Sequence, residues 1–166
     1  IIDVVFHVNE DVLPLARVGK ECALPVERQN LTWFGRGPHE SYDDRKESAY
    51  VGIYKAMVSE QFFSHIMPQE NGNKTDNRWL EIYDDSGNGI RITGKPLFNF
   101  NIQNYSDKDL NRSKKEHTLI RGEKNWLHID YKQMGLGGDD SWSPRVHKEF
   151  LLKNKVYRYT YALNPL

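Results

Sequence analysis

Trp79-Leu80-Glu81-Ile82-Tyr83, then Asp84-Asp85-Ser86-Gly87-Asn88-Gly89, then Ile90-Arg91-Ile92-Thr93 is the stretch that decides the fold. Two runs rich in β-branched and aromatic residues flank a polar, glycine-containing turn, which is the pattern of a β-hairpin with its loop. Downstream, Phe98-Asn99-Phe100-Asn101-Ile102 alternates strictly. Successive side chains on a strand point to opposite faces, so one face is expected to be buried and the other polar. Trp126-Leu127-His128-Ile129-Asp130-Tyr131 and Val156-Tyr157-Arg158-Tyr159-Thr160-Tyr161-Ala162-Leu163 keep the same period of two. Upstream, Ile1 to Val8 is rich in β-branched residues, and Leu31-Thr32-Trp33-Phe34 runs into Gly35-Arg36-Gly37-Pro38, a strand followed by a stop. One segment reads as helical, with Ser106 as N-cap and Asp109 closing an approximate capping box, and it predicts two or three turns at most. No repeat, low-complexity tract or linker divides the chain. Residues 1–166 therefore read as one all-β domain of sandwich architecture with a single short helix.

Composition narrows the function classes. The 166 residues are 38 % apolar, which is globular composition and too rich for a disordered tail. Aliphatic and aromatic runs such as Val4-Val5-Phe6 are only a few residues long, so no membrane-spanning helix is expected. Lys and Arg number 23 and so do Asp and Glu, so no overall field draws the chain to nucleic acid. The first residues lack the features of a signal peptide. With no initiator Met, the chain is expected to be a processed or excised piece, and its compartment, bacterial cytoplasm or periplasm, stays open. The single cysteine, Cys22, gives neither a disulfide nor a metal spacing and reads as a small buried apolar residue.

Motifs for metal, nucleophile or paired-carboxylate chemistry are absent. His7, His39, His65, His117, His128 and His147 show no metal-ligand spacing, and His128 reads as a hydrogen-bonded sheet residue. The Asp84 loop imitates the start of a calcium loop, but its twelfth place is Lys95 where a bidentate Glu belongs. A glycosidase needs two carboxylates across a cleft. The doublets Asp43-Asp44 and Asp139-Asp140 cannot supply such a pair by themselves if they lie on strands. There is no Gly-x-Ser-x-Gly elbow, and the Asn-x-Ser/Thr sequons at Asn30, Asn73, Asn104 and Asn111 are read as chance.

Two segments are too unusual for plain scaffold: Trp33 to Arg45, and Met134-Gly135-Leu136-Gly137-Gly138-Asp139-Asp140-Ser141-Trp142-Ser143-Pro144. In the second, glycines permit unusual backbone angles, the aspartates can accept backbone N–H bonds, and Pro144 restricts the exit. Such a loop presents a group, and the large group at its tip is Trp142. From the residues alone, Trp142 either packs back onto the sheet or faces a ligand. The aromatic content of 12 % fits a filled β core as well as a sugar-stacking surface.

These two segments, with Pro68-Gln69-Glu70-Asn71-Gly72-Asn73-Lys74-Thr75-Asp76-Asn77-Arg78-Trp79, resemble the C-terminal domain of the family 2 β-galactosidases, the β-galactosidase small chain. The resemblance runs from about Leu13 to Leu166, with the three motifs in the family's order. It implies an antiparallel supersandwich like that of galactose mutarotases, N-terminally incomplete and corresponding to the last half to two-thirds of the family's domain. It also implies a retaining β-galactosidase for terminal non-reducing galactosides such as lactose, whose two catalytic glutamates lie on a (β/α)8 barrel elsewhere in the polypeptide. No catalytic or metal-binding residue carries over to this chain. Mg2+ and a monovalent cation are expected to be held by other domains, so no cofactor is expected here.

One position does carry over. Trp142 is implied to stack on the substrate, so the partners expected are a galactoside and the remaining domains. Uncovered sheet edges are expected to favour self-association. Arg36, Glu40, Asp44 and Arg45 are expected to form loop-fixing ion pairs; Glu70 and Asn71 are expected to hold a loop, with lining the sugar site as the alternative. The alternatives are a stand-alone carbohydrate-binding module and, on fold similarity only, an aldose epimerase-like domain.

Overall fold

A computed structural model describes all 166 residues. In chain order the strands are β1 (Ile2–His7), β2 (Arg17–Pro25), β3 (Asn30–Gly37), β4 (Tyr50–Met57), β5 (Lys74–Tyr83) and β6 (Gly89–Gln103). A helix, α1 (Asp107–Arg112), precedes β7 (Lys124–Gln133) and β8 (Val156–Pro165). Every pairing is antiparallel. The fold is all-β as read, and no helix is long and apolar enough to cross a membrane.

The hairpin that decided the reading is β5–β6. Glu81 faces Arg91 and Ile82 faces Ile90 across it. Its loop is organised by Asp84, whose Oδ1 accepts from the backbone N–H groups of Ser86 (2.9 Å) and Asn88 (3.0 Å) while Arg28 pairs with Oδ2 at 2.7 Å. An Asx-type turn is therefore what those acidic and amide residues build.

Strand β6 was read as two segments and is one 15-residue strand. Its first half pairs with β8 (Ile90 to Lys95 against Pro165 to Thr160) and its second half with β7 (Asn99 to Gln103 against Asp130 to Trp126). The sheet forks there. One arm continues β8–β1 and the other β7–β2, while β5, β3 and β4 extend from the opposite edge of β6.

Two apolar clusters follow from the fork. The larger takes Leu31 and Trp33 from β3, Leu80 and Ile82 from β5, Ile92, Phe98, Phe100 and Ile102 from β6, and Leu127 and Ile129 from β7. Burying a side chain of this size contributes roughly 1.5–3 kcal/mol, and Trp33 adds aromatic contacts to Tyr54 (5.4 Å) and, edge-on, Phe100 (5.8 Å). The smaller cluster joins the two arms: Val18 of β2 with Tyr157, Tyr159 and Tyr161 of β8. The alternating tyrosines of β8 lie along this inner face, and Tyr159 stacks on Tyr131 of β7 at 5.2 Å.

Ser106 caps α1 as predicted. Asp109 N donates to Ser106 Oγ (3.2 Å) and Ser106 N to Asp109 Oδ2 (2.9 Å). The helix is only six residues, shorter than two turns, because Ser113 is already extended.

Three local readings are corrected. Cys22 is exposed, not buried, because β2 pairs only with β7 and its run from Gly19 to Ala23 faces outward. The strand from Leu31 continues through Gly35 to Gly37 before it stops. The polar face of β6 is buried like the apolar one: Asn99, Asn101 and Gln103 are 6 %, 1 % and 2 % exposed. A second layer must cover that face, and it carries the motif loops.

Candidate functional site

The three unusual segments meet. Asp44 and Arg45 from the first, Gln69 and Glu70 from the second, and Leu136, Gly137, Gly138 and Asp139 from the third line one cavity of about 490 Å³, with His65. Segments far apart in sequence thus form one concave surface.

The Met134–Pro144 loop is held at both ends and at its turn. Gly137 and Gly138 sit at φ +67° and +81°, the left-handed region that glycine adopts without steric cost. Gly137 N donates to Asp44 Oδ2 at 2.8 Å, and Gly135 N to Phe150 O at 3.1 Å. Asp140 Oδ1 accepts from Trp142 N (2.7 Å) and Ser143 N (2.8 Å). Asp139 instead pairs with His147, which raises the imidazole's pKa through that hydrogen bond. The aspartates do fix the loop, and they aim Trp142 away from the sheet. Its 93 % exposure rules out packing back onto the core.

The floor is a network of charges and amides. Arg45 pairs with Glu40, whose other oxygen accepts from Gly72 N at 2.8 Å, tying the first motif to the second. Arg36 does not pair within its own segment; it reaches Asp76 at 2.6 Å and donates to the carbonyls of Lys46 and Ala49. Asp44 makes no ion pair either: its Oδ2 accepts from Gly137 N, and its buried Oδ1 has no partner. Glu70 pairs with Arg17 at 2.7 Å, and Arg17 also approaches the buried Asp130 at 3.5 Å. Burial pushes Asp130 up to about 6, with the Arg17 guanidinium pulling the other way. Asn71, buried, accepts from Phe63 N at 3.0 Å and donates to Gln69 O at 2.8 Å, so it holds its loop as expected.

Asp44, Glu70 and Asp139 are the carboxylates around the cavity, and each is engaged: by a backbone N–H, by Arg17 and by His147 respectively. That arrangement fixes loops. Sequence reading named Glu70 and Asp44 but missed Arg17 and His65, which carry no local pattern and reach the site only through strand pairing and loop packing.

Comparison with known proteins agrees with this geometry. Residues 1–163 match the family model described as beta galactosidase small chain, and the chain belongs to that family. A β-galactosidase of Vibrio cholerae is 44 % identical over 153 residues, covering 92 % of this chain and 14 % of the relative. One from Priestia megaterium is 38 % identical over 159 residues (95 % and 15 %), and one from Vibrio vulnificus 35 % over 167 residues (99 % and 16 %). The chain thus spans about 15 % of the length of such relatives.

Beneath the cavity, Lys74 is almost fully buried, with Nζ donating to Gly72 O at 3.0 Å and lying 5.8 Å from the Trp33 ring centroid. Burial lowers its amine to about 8, against the opposing pull of Glu40. An unfolded lysine titrates near 10.4, so between about pH 8 and 10.4 the unfolded chain binds the extra proton and native stability rises with pH. Urea unfolding from pH 7 to 10 should show this rise, up to about 3 kcal/mol, and Lys74→Met should lack it. Parallel profiles for the two proteins would contradict the assignment.

Proposed function

We propose that this chain supplies one wall of the galactoside site of a retaining β-galactosidase, with Trp142 stacking on the sugar. The observation that supports it most is the exposed indole, held on a loop that Asp44 of the first motif bonds at Gly137, beside a cavity that all three motifs line. The apolar C–H face of a pyranose fits a flat ring, while its hydroxyls need polar partners. The two catalytic carboxylates, the Mg2+ and the monovalent cation belong, in this reading, to other domains of the polypeptide. Substrates are terminal non-reducing β-galactosides of the lactose type.

The role of Trp142 is to bind and position, without proton transfer or covalent chemistry. Stacking of this sort is worth on the order of 1 kcal/mol. In the intact enzyme, Trp142→Ala should therefore raise KM for lactose roughly fivefold. A KM unchanged by the substitution would remove Trp142 from the site.

Self-association is the second part of the proposal. Strands β1, β2 and β4 each pair on one side only, and β4 carries Val51 and Ile53 outward at 45 % and 64 % exposure. Unpaired edges of this kind recruit further strands. Light scattering on the isolated 166-residue chain should give a mass that grows with concentration; a concentration-independent monomer would refute this.

A further inference from the structure

Away from the cavity, the pairing of β2 with β7 sets Glu21 directly opposite His128. Cross-strand partners present their side chains to the same face. The capping box of α1 then fixes Asp107, the first helical residue, above that face. The result is a group of three potential donors from three separate elements, all within 4.8 Å of one another. His128 Nε2 lies 3.3 Å from Asp107 Oδ1 and 3.9 Å from Glu21 Oε1. The imidazole is 5 % exposed, whereas the carboxylates are 48 % and 41 % exposed.

We propose that Glu21, Asp107 and His128 bind a divalent transition ion of the zinc type, with a fourth position open to water. Four-coordinate zinc takes nitrogen and oxygen donors at about 2.0–2.2 Å, which sets donors in a tetrahedron about 3.3 Å apart. The His128–Asp107 spacing already has this value, and the exposed Glu21 side chain has the freedom to close the remaining gap. Two carboxylates balance the charge of the ion, and an imidazole favours zinc, nickel or copper over magnesium or calcium. The buried histidine contributes rigidity, since strand pairing with both β2 and β6 fixes its backbone. A bound ion would tie an edge strand, an inner strand and the helix start at one point, stabilising the protein by linkage.

The test uses the whole polypeptide that carries the chain, stripped with chelator and titrated with Zn2+ by calorimetry and with Co2+ by visible absorption. Any ions bound elsewhere contribute equally to parent and variants, so the difference between them is the readout. Stoichiometry should fall by one equivalent in the double variant Glu21→Gln with Asp107→Asn, whose exposed positions spare the fold. Each single carboxylate change should weaken that equivalent at least tenfold, and His128→Gln should abolish the associated Co2+ bands. Equal stoichiometry and affinity in parent and double variant, or no uptake by the parent, would overturn the site.

Discussion

Strand β6 must satisfy three partners along a single run, and the rest of the molecule follows from how it does so. One edge is taken by β5, while the other is shared end to end by β8 and β7. Because each partner accepts only half of that edge, the two arms of the sheet separate. Backbone hydrogen bonds are obligatory, so the fork is fixed as firmly as the ladder itself. The space between the arms is filled by the β8 tyrosines against Val18. The central apolar face of β3, β5, β6 and β7 closes on Trp33 and Phe100.

The same strand explains where the site lies. Its other face carries Asn99, Asn101 and Gln103, all buried. The 68–74 segment meets that face at Asn101, whose Nδ2 donates to Glu70 Oε1 at 3.2 Å and to Asn71 O, while Asn101 Oδ1 and Gln103 Oε1 have no hydrogen-bond partner. Once Glu70 is anchored by Asn101 and Arg17, its loop becomes a platform, and Glu40 bonds that platform at Gly72 N. Asp44 then receives the tryptophan loop through Gly137 N. The indole is thus placed by a relay of charge-assisted hydrogen bonds, the stronger class, that begins at the polar face of a core strand.

Much of this was legible in the residues. Alternation at Phe98 to Ile102, the Asp84 turn and the Ser106 capping box each carry a local signal, because period, turn chemistry and caps depend on neighbours a few positions apart. Trp142 was legible as a presented group because glycines at 137 and 138 and aspartates at 139 and 140 are turn chemistry. Its exposure was not legible, since it depends on Asp44, 93 positions away along the chain from Gly137. Cys22 was misread for a related reason: a residue type predicts average burial, whereas β2 lies at an edge of the β7–β2 arm. The Arg36 partner was also misassigned, because Asp76 is distant in sequence and becomes adjacent only when β5 pairs with β3. The Glu21–Asp107–His128 group could not have been found from spacing, since its members lie on β2, α1 and β7.

The central claim is that these residues form one wall of a shared site and do not complete it. It is tested most directly by titrating the isolated 166-residue chain, once a dispersed spectrum shows it folded, with galactose and with lactose. The four Trp indole N–H signals are followed by NMR, with Trp142→Ala assigning the key peak. The account predicts no saturable shift, or only weak linear drift at Trp142. Saturable binding tighter than about 1 mM, roughly 4 kcal/mol, with the Trp142 signal moving, would show a complete site within this chain and contradict it.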